Sequence, residues 1–362
     1  MHISVIIPCY NAIGKIERCV SSLKKMHIDA SDYEIIFVDD CSTDGTFEYL
    51  EVQTSSQSNW KVEKLKINSG SPSRPRNQGI QIAKGDYVFF LDCDDEILSD
   101  TLTVHLRQAK TSNACIVRGY LIADDGKNQR EMNRLFDWDN SLSNVAKIEK
   151  IIGKQSTTVP NLIKREVLIS NRIMWPEDIR VGEDSVFLVN LLINCQIIDY
   201  IDHPTFIYNK RSSFNLSSTQ EYGSRELNNH LIVWKVMINI LAKININYTK
   251  VRLRVGLQTA IHGLIFKNKH DVLEHDFVLF SEFVNLHKSS IDEHGFASHI
   301  RQVLHTLYDR DFDSFTQSCK PRLVIAGHDL KFISPVIDKL KTYFAIKIDE
   351  WSGHNQHNPI QS

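Results

Sequence analysis

What the 362-residue chain lacks narrows its class before any motif is read. It has no surplus of one charge. Its 42 Lys and Arg stand against 44 Asp and Glu, a formal net charge of -2, so no global field argues for nucleic acid. Any anion-binding surface has to be local. No stretch is long and apolar enough to span a bilayer. Met1-His2 runs directly into an apolar segment, without the basic opening of a secretory signal. There is no C-x-x-C. The seven cysteines (Cys9, Cys19, Cys41, Cys93, Cys115, Cys195 and Cys319) are odd in number and irregular in spacing. That argues against a disulfide framework and a zinc site, and fits a reducing cytoplasm. Internal repeats and low-complexity tracts are also absent. What remains is an ordinary globular composition, 42% hydrophobic and 24% charged, in a chain long enough for two cores.

The first part alternates strand and helix. Residues 3–7, 33–38, 62–67 and 86–91 read as buried strands, and residues 13–25, 47–52 and 76–83 as helices between them. Such alternation predicts an α/β fold with a mainly parallel sheet. Residues 115–121 predict a further strand, and 197–207 a strand broken at Pro204. Residues 161–170 and 184–192 carry helical patterns, while 136–154 looks polar and irregular. From about residue 226 the pattern becomes mostly helical, with Leu227, Leu231, Trp234 and Ile238 on one face. Residues 322–348 then read as the opening of a new β-α-β unit. The expected organisation is an α/β domain over residues 1–215, a helical domain over 226–318, and a β-α-β unit over 320–362. The last is either the start of a second α/β domain in a longer protein or an extra unit packed on the helices.

Open α/β sheets bind ligands outside the carboxyl ends of their strands. The polar groups fall at those ends: Pro8-Cys9-Tyr10-Asn11, Asp39-Asp40, Asn68-Ser69-Gly70 and Asp92-Cys93-Asp94-Asp95. In the last, an apolar strand delivers three carboxylates in four positions, with Asp92 and Asp94 on one side. Like charges this close call for a hard divalent cation, Mg²⁺ or Mn²⁺, which also binds phosphate oxygens. Spacing alone does not decide the matter. Asp137-Trp138-Asp139 and Asp311-Phe312-Asp313 share the D-x-D form but follow no apolar strand, and read as surface. Asp39, Ser42 and Asp44 equally suit a turn and helix cap.

In order, Val5-Ile6-Ile7-Pro8-Cys9-Tyr10-Asn11, the run from Phe37 to Thr46, Arg76-Asn77-Gln78-Gly79-Ile80 and Phe89-Phe90-Leu91-Asp92-Cys93-Asp94-Asp95 resemble the family 2 glycosyltransferases, whose fold is the Rossmann-like GT-A. The likeness covers roughly the first two hundred residues. Residues 68–77 and Gly182-Glu183-Asp184-Ser185-Val186-Phe187 are similar to the wall teichoic acid N-acetylglucosaminyltransferases, and capsule transferases share much of this.

The resemblance implies roles. Pro8, Tyr10 and Asn11 line the nucleotide pocket. Asp40, with Asp39, holds uracil, and Asn68, Arg76 and Asn77 complete the base and ribose site. Asp92 touches ribose or the metal shell, Asp94 is the direct ligand of Mn²⁺ or Mg²⁺, and Cys93 is a spacer with no redox partner in view. Asp184, beside Glu183, is the general base. Lys210 or Arg211 pairs with the diphosphate. The implied reaction inverts the anomeric centre. It moves a sugar, GlcNAc first, from a UDP-sugar to a hydroxyl of a bacterial surface glycopolymer such as teichoic acid or capsule.

The basic stretch Lys243, Lys250, Arg252, Arg254, Lys267, Lys269 and His270 suits a phosphate-rich acceptor or a solvated helix face. Arg252 and Arg254 are its candidate acceptor residues. The implied setting is cytoplasmic, in peripheral contact with the inner membrane face, with no nucleic acid partner and as a homo-oligomer. No Q-x-x-R-W follows, which disfavours a processive synthase. Two other classes compete. One is a non-catalytic sugar-binding module, against which intact Asp94 and Asp184 speak. The other is a nucleotidyltransferase, whose Gly-rich basic loop is reduced here to Gly14 and Lys15.

Overall fold

The computed structural model describes residues 1–154, 161–210, 222–267 and 272–319, and the statements below concern these. The chain opens with β1 (Ile3–Cys9), α1 (Ile16–Leu23), β2 (Tyr33–Asp39), α2 (Thr46–Ser55), β3 (Trp60–Lys64), α3 (Ser73–Ile82) and β4 (Tyr87–Phe90). β1 lies between β2 and β4, and β2 pairs with β3, all parallel. Every residue of β1 and β2 is buried, which is why both read as mainly apolar runs, interrupted only by Ser4 and Glu34 before Asp39. Their side chains alternate between two cores. Ile3, Val5 and Ile7 enter one with Phe37, and Ile6 enters the other with Ile36 and Val38.

The second half is mixed. It contains β5 (Glu96–Ile97), α4 (Thr101–Ser112), β6 (Ile116–Asp124), β7 (Gln129–Met132), α5 (Asn144–Lys154), β8 (Asn161–Lys164), α6 (Arg165–Ser170), α7 (Glu183–Ile193) and β9 (Ile198–Asn209). The strand order is β3-β2-β1-β4-β8-β6-β9-β5, with β7 beside β6. β8 is antiparallel to both β4 and β6, while β9 runs parallel to β6.

Three local expectations are corrected. Residues 161–170 are a strand followed by a helix, because Leu162 and Ile163 are covered between β4 and β6. Residues 144–154 form a helix that buries Ile148, Ile151 and Ile152. Pro204 does not break β9. It sits opposite Tyr120 where the β6–β9 register shifts, a bulge that tolerates proline.

The helical part follows: α8 (Ser224–Ala242), a π-helical turn Thr249–Leu253 leading into α9 (Arg254–Phe266), α10 (Glu274–Leu286), α11 (Ser298–Tyr308) and α12 (Phe312–Cys319). Leu227, Leu231 and Trp234 are buried as the pattern required. They share one apolar cluster with Ile6, Phe90 and Phe187, so helices and sheet have a common core within the compact unit Met1–Cys319. The β-α-β unit expected over 320–362, and most of the junction between 215 and 226, lie outside the described residues. Among the described residues no helix is long and apolar enough to cross a membrane.

Candidate active site

The loops at the carboxyl ends of β1, β2 and β4 meet in one crevice. The β1 loop is fixed to the β2 loop by its own backbone. Asn11 N–H donates to Ser42 Oγ (2.9 Å), Ala12 N–H to Thr46 Oγ1 (2.7 Å) and Ile13 N–H to Asp44 Oδ2 (3.1 Å). Asn11 Oδ1 accepts from Thr43 N–H in return (2.9 Å). Asn11 and Cys41 both take positive φ, 44° and 64°, at the two tight exits from the sheet. Pro8 is buried and Tyr10 stands out on the rim, 52% exposed.

Asp39 is fully buried. Its Oδ2 accepts from Ser42 N–H (3.0 Å), the local capping role the sequence allowed, while Oδ1 has no partner. Asp40 is engaged from the β3–α3 loop. Its carboxylate accepts from Ser69 N–H (2.9 and 3.0 Å) and Ser69 Oγ (2.9 Å), and its carbonyl from Asn68 Nδ2 (2.9 Å). The pair therefore shapes the floor of the crevice.

Arg76 joins the two chemical elements of the site. Its Nη2 donates to Asp92 Oδ1 at 2.7 Å, and its Nη1 lies 3.9 Å from Glu183 Oε1 at the start of α7. Asn77, although adjacent, turns into the core. Its amide donates to Trp175 O and Glu177 Oε1, and its oxygen accepts from Trp175 N–H. It acts on the site by holding the 175–177 segment.

In the acidic cluster, burial and then Asp92 push the Asp94 carboxyl up from its ordinary range. Asp95 is pushed well up by burial and by both neighbouring aspartates, and its Oδ1 accepts from Asn209 N–H (2.9 Å). Cys93 is half-buried, with its thiol against that of Cys9. Among the described residues no three His, Cys, Asp or Glu side chains form a metal cage. The donor set fits a different kind of site, in which one or two carboxylates share a hard cation with substrate phosphates. Asp94 and the second oxygen of Asp92 are carboxylates of that kind.

Gly182 enters α7 at φ 87° and ψ 12°, a left-handed turn that aims Glu183 and Asp184 at the crevice. Burial, then Asp184, pushes the Glu183 carboxyl up to about 7. Burial also raises Asp184, whose Oδ1 accepts from Ser185 N–H at 2.7 Å. Asp184 borders a cavity of about 240 Å³ that reaches His230, Trp234, Tyr248 and Arg252. Arg252 thus comes to the site. Arg254 does not; its guanidinium packs on Gly295. Arg211, Lys269 and His270 lie outside the described residues.

Three site residues went unassigned in the sequence. Tyr208 is pushed up by burial and by the charges of Asp95, Asp94, Asp92 and Asp184, and Lys210 Nζ sits 5.2 Å from its ring centroid. Asn209 ties β9 to the acidic cluster through Asp94 O and Asp95 Oδ1. Arg180 lies against Gly70, and its guanidinium makes no hydrogen bond or ion pair among the described residues. Tyr208 and Asn209 directly precede Lys210, the candidate diphosphate partner, so proximity to it was a usable signal. Arg180 had none.

Residues 4–173 match the sequence profile described as Glycosyl transferase family 2. The chain is 34% identical over 219 residues to the poly(ribitol-phosphate) beta-glucosyltransferase of Bacillus spizizenii, a stretch covering 60% of this chain and 34% of that protein. It is 30% identical over 219 residues to the poly(ribitol-phosphate) beta-N-acetylglucosaminyltransferase TarS of Staphylococcus aureus, again covering 60% of this chain, and 37% of TarS. The chain thus spans about a third of the length of these curated relatives. In structure it is similar to S. aureus TarS 1-349 in complex with UDP-GlcNAc, with TM-score 0.60, 22% identity, and coverage of 88% of this chain and 90% of that one. That likeness establishes the fold, GT-A: a curled, mixed sheet with helices on its faces. With its motifs in order at the strand ends and its profile match over residues 4–173, the first half of the chain is similar to glycosyl transferase family 2.

Proposed function

We propose that this protein is an inverting glycosyltransferase that moves a sugar, GlcNAc first and glucose second, from a UDP-sugar to a hydroxyl of a phosphate-rich surface glycopolymer of the teichoic acid kind. The observation that carries the reading is Arg76, one buried cation facing both the acidic cluster after β4 and the Glu183-Asp184 pair. The names of the relatives, poly(ribitol-phosphate) transferases for glucose and N-acetylglucosamine, support the donor and the acceptor class.

The nucleotide lies across the carboxyl ends of β1, β2 and β4, with uracil toward Asp39 and Asp40 and the diphosphate toward Asp92 and Asp94. Asp94, with Asp92, would hold a Mn²⁺ or Mg²⁺ ion, whose chemistry is to neutralise charge on the departing diphosphate. Asp184 takes the proton of the acceptor hydroxyl as its oxygen bonds to the anomeric carbon. The bond from that carbon to the diphosphate oxygen breaks, its electron pair leaves with UDP, and an α-linked donor gives a β-linked product. Lys210, beside Tyr208, supplies a cation near the leaving group. The cavity beyond Asp184 receives the acceptor, with Arg252 available to a backbone phosphate. A UDP-sugar donor sets the reaction on the cytoplasmic side.

Two measurements test this. Poly(ribitol phosphate) should elicit UDP release from UDP-GlcNAc or UDP-glucose, and chelation should abolish it until Mn²⁺ or Mg²⁺ is restored; release that is indifferent to chelator removes the metal from the account. Arg252→Glu should weaken polymer binding at least tenfold and leave UDP affinity within about twofold. Equal polymer affinity in parent and variant would reject the acceptor site.

A further inference from the structure

We propose that Trp175 is a positioning residue for the transfer, acting through Arg76. This inference rests on the transferase reading above. It names a residue that no motif contains, in a segment between α6 and α7 that carries no regular structure.

Little else fixes Arg76. Its guanidinium has five N–H donors. Nη2 is bonded to Asp92, Nη1 stands 3.9 Å from Glu183, and Nε and Nη1 have no hydrogen-bond partner. One hydrogen bond leaves a planar cation free to rotate about it. The constraint comes from the ring beneath, for Arg76 Cζ lies 4.1 Å from the Trp175 ring centroid. A guanidinium over an indole face is held by the ring quadrupole as well as by contact.

The ring itself is held by packing, its indole N–H having no hydrogen-bond partner among the described residues. Trp175 is 2% exposed and stacks on Phe187 of α7, with centroids 4.1 Å apart and planes 8° from parallel. Phe90, the last residue of β4, meets both rings edge-on, at 5.1 Å and 5.7 Å. The Asn77 side chain bonds both the N–H and the carbonyl of Trp175, at 2.8 and 2.9 Å. Trp175 therefore touches the three elements that carry the chemistry: its ring meets β4 two residues before Asp92, Arg76 of α3, and α7 within a turn of Glu183 and Asp184, and its backbone meets Asn77 of α3. Its rigid stack sets the one cation that, among the described residues, bridges both carboxylate groups, and so the register between the donor end and the base end.

A purely structural tryptophan would behave differently from one acting through Arg76, and the test is built on that difference. Site-specific replacement of Trp175 by tryptophans of increasing fluorination keeps the shape and drains the π-face. With UDP-GlcNAc or UDP-glucose and poly(ribitol phosphate), kcat should fall stepwise by roughly tenfold to a hundredfold across the series, at an unchanged melting temperature. Trp175→Phe should stay within about threefold of the parent. In an Arg76→Gln background, the same fluorinated series should change kcat by less than about twofold, because the partner is gone. A flat kcat across the series, or an equal loss with and without Arg76, would overturn the role of Trp175. A parent protein that releases no UDP from either donor would instead refute the transferase reading. The two failures are thus distinguishable.

Discussion

At the scale of single residues, the site is a contest between burial and charge. Glu183 and Asp184 begin α7 where a helix terminus favours carboxylates, yet burial raises both. The consequence for stability has a definite sign. Glu183 ordinarily titrates near 4.5 and is pushed to about 7 in the fold. Between those values the unfolded chain ionises and the folded one does not. The contribution is fully present below about 4.5 and is lost as pH rises through about 7, on the order of 3 kcal/mol in all. Glu183→Gln, which cannot ionise, should match the parent near pH 4.5 and be the more stable protein at pH 8. Parallel stability curves from denaturant titrations across that range would contradict the assignment.

At the scale of elements, the approach to α7 is the part most exposed to a single substitution. Gly182 sits at φ 87°, and a Cβ there would come within 3.1 Å of a Val233 methyl carbon. Gly182→Ala should cost about 1–2 kcal/mol in denaturant unfolding and should lower kcat by a larger factor than that loss alone explains, because it re-aims Glu183 and Asp184. Wild-type turnover in a folded Gly182→Ala protein would show that this turn does not aim the base.

The value of Gly182 was legible in the sequence, since a glycine before an acidic pair at a helix start has few other uses. The parallel strands were legible too, because burial on both faces leaves β1 and β2 without polar residues in their interiors except Ser4 and Glu34. Elements decided by tertiary partners were not. The run Asn161–Lys164 is too short for its period to separate strand from helix, and only its place between β4 and β6 makes it a strand. Nor could spacing show that Asn77 would turn inward to Trp175 while its neighbour Arg76 faced the carboxylates.

At the scale of the molecule, the helices are part of the fold that carries the site. Trp234 and Phe280 share an apolar cluster with Phe90 and Phe187, and the cavity that begins at Asp184 is closed by α8 and α9. Native-state hydrogen exchange should therefore find the slowest amides of α8 and α9 opening with the same free energy as those of β1 and β2. Helical amides that open several kcal/mol earlier would show a separable domain. The shared core also explains how a helical region recognised in the sequence only as a second domain supplies Arg252 to the cavity wall beyond Asp184.

In the proposed reaction, donor and base meet across Arg76, with Asp184 taking the proton. The most direct measurement is polymer-dependent UDP release by the parent and by Asp184→Asn, with UDP binding followed by calorimetry in both. The expected result is turnover in the parent, a loss of roughly 10²–10⁴-fold in the variant, and UDP affinity unchanged within about twofold. Asp184→Asn turning over at the parent's rate would contradict the account.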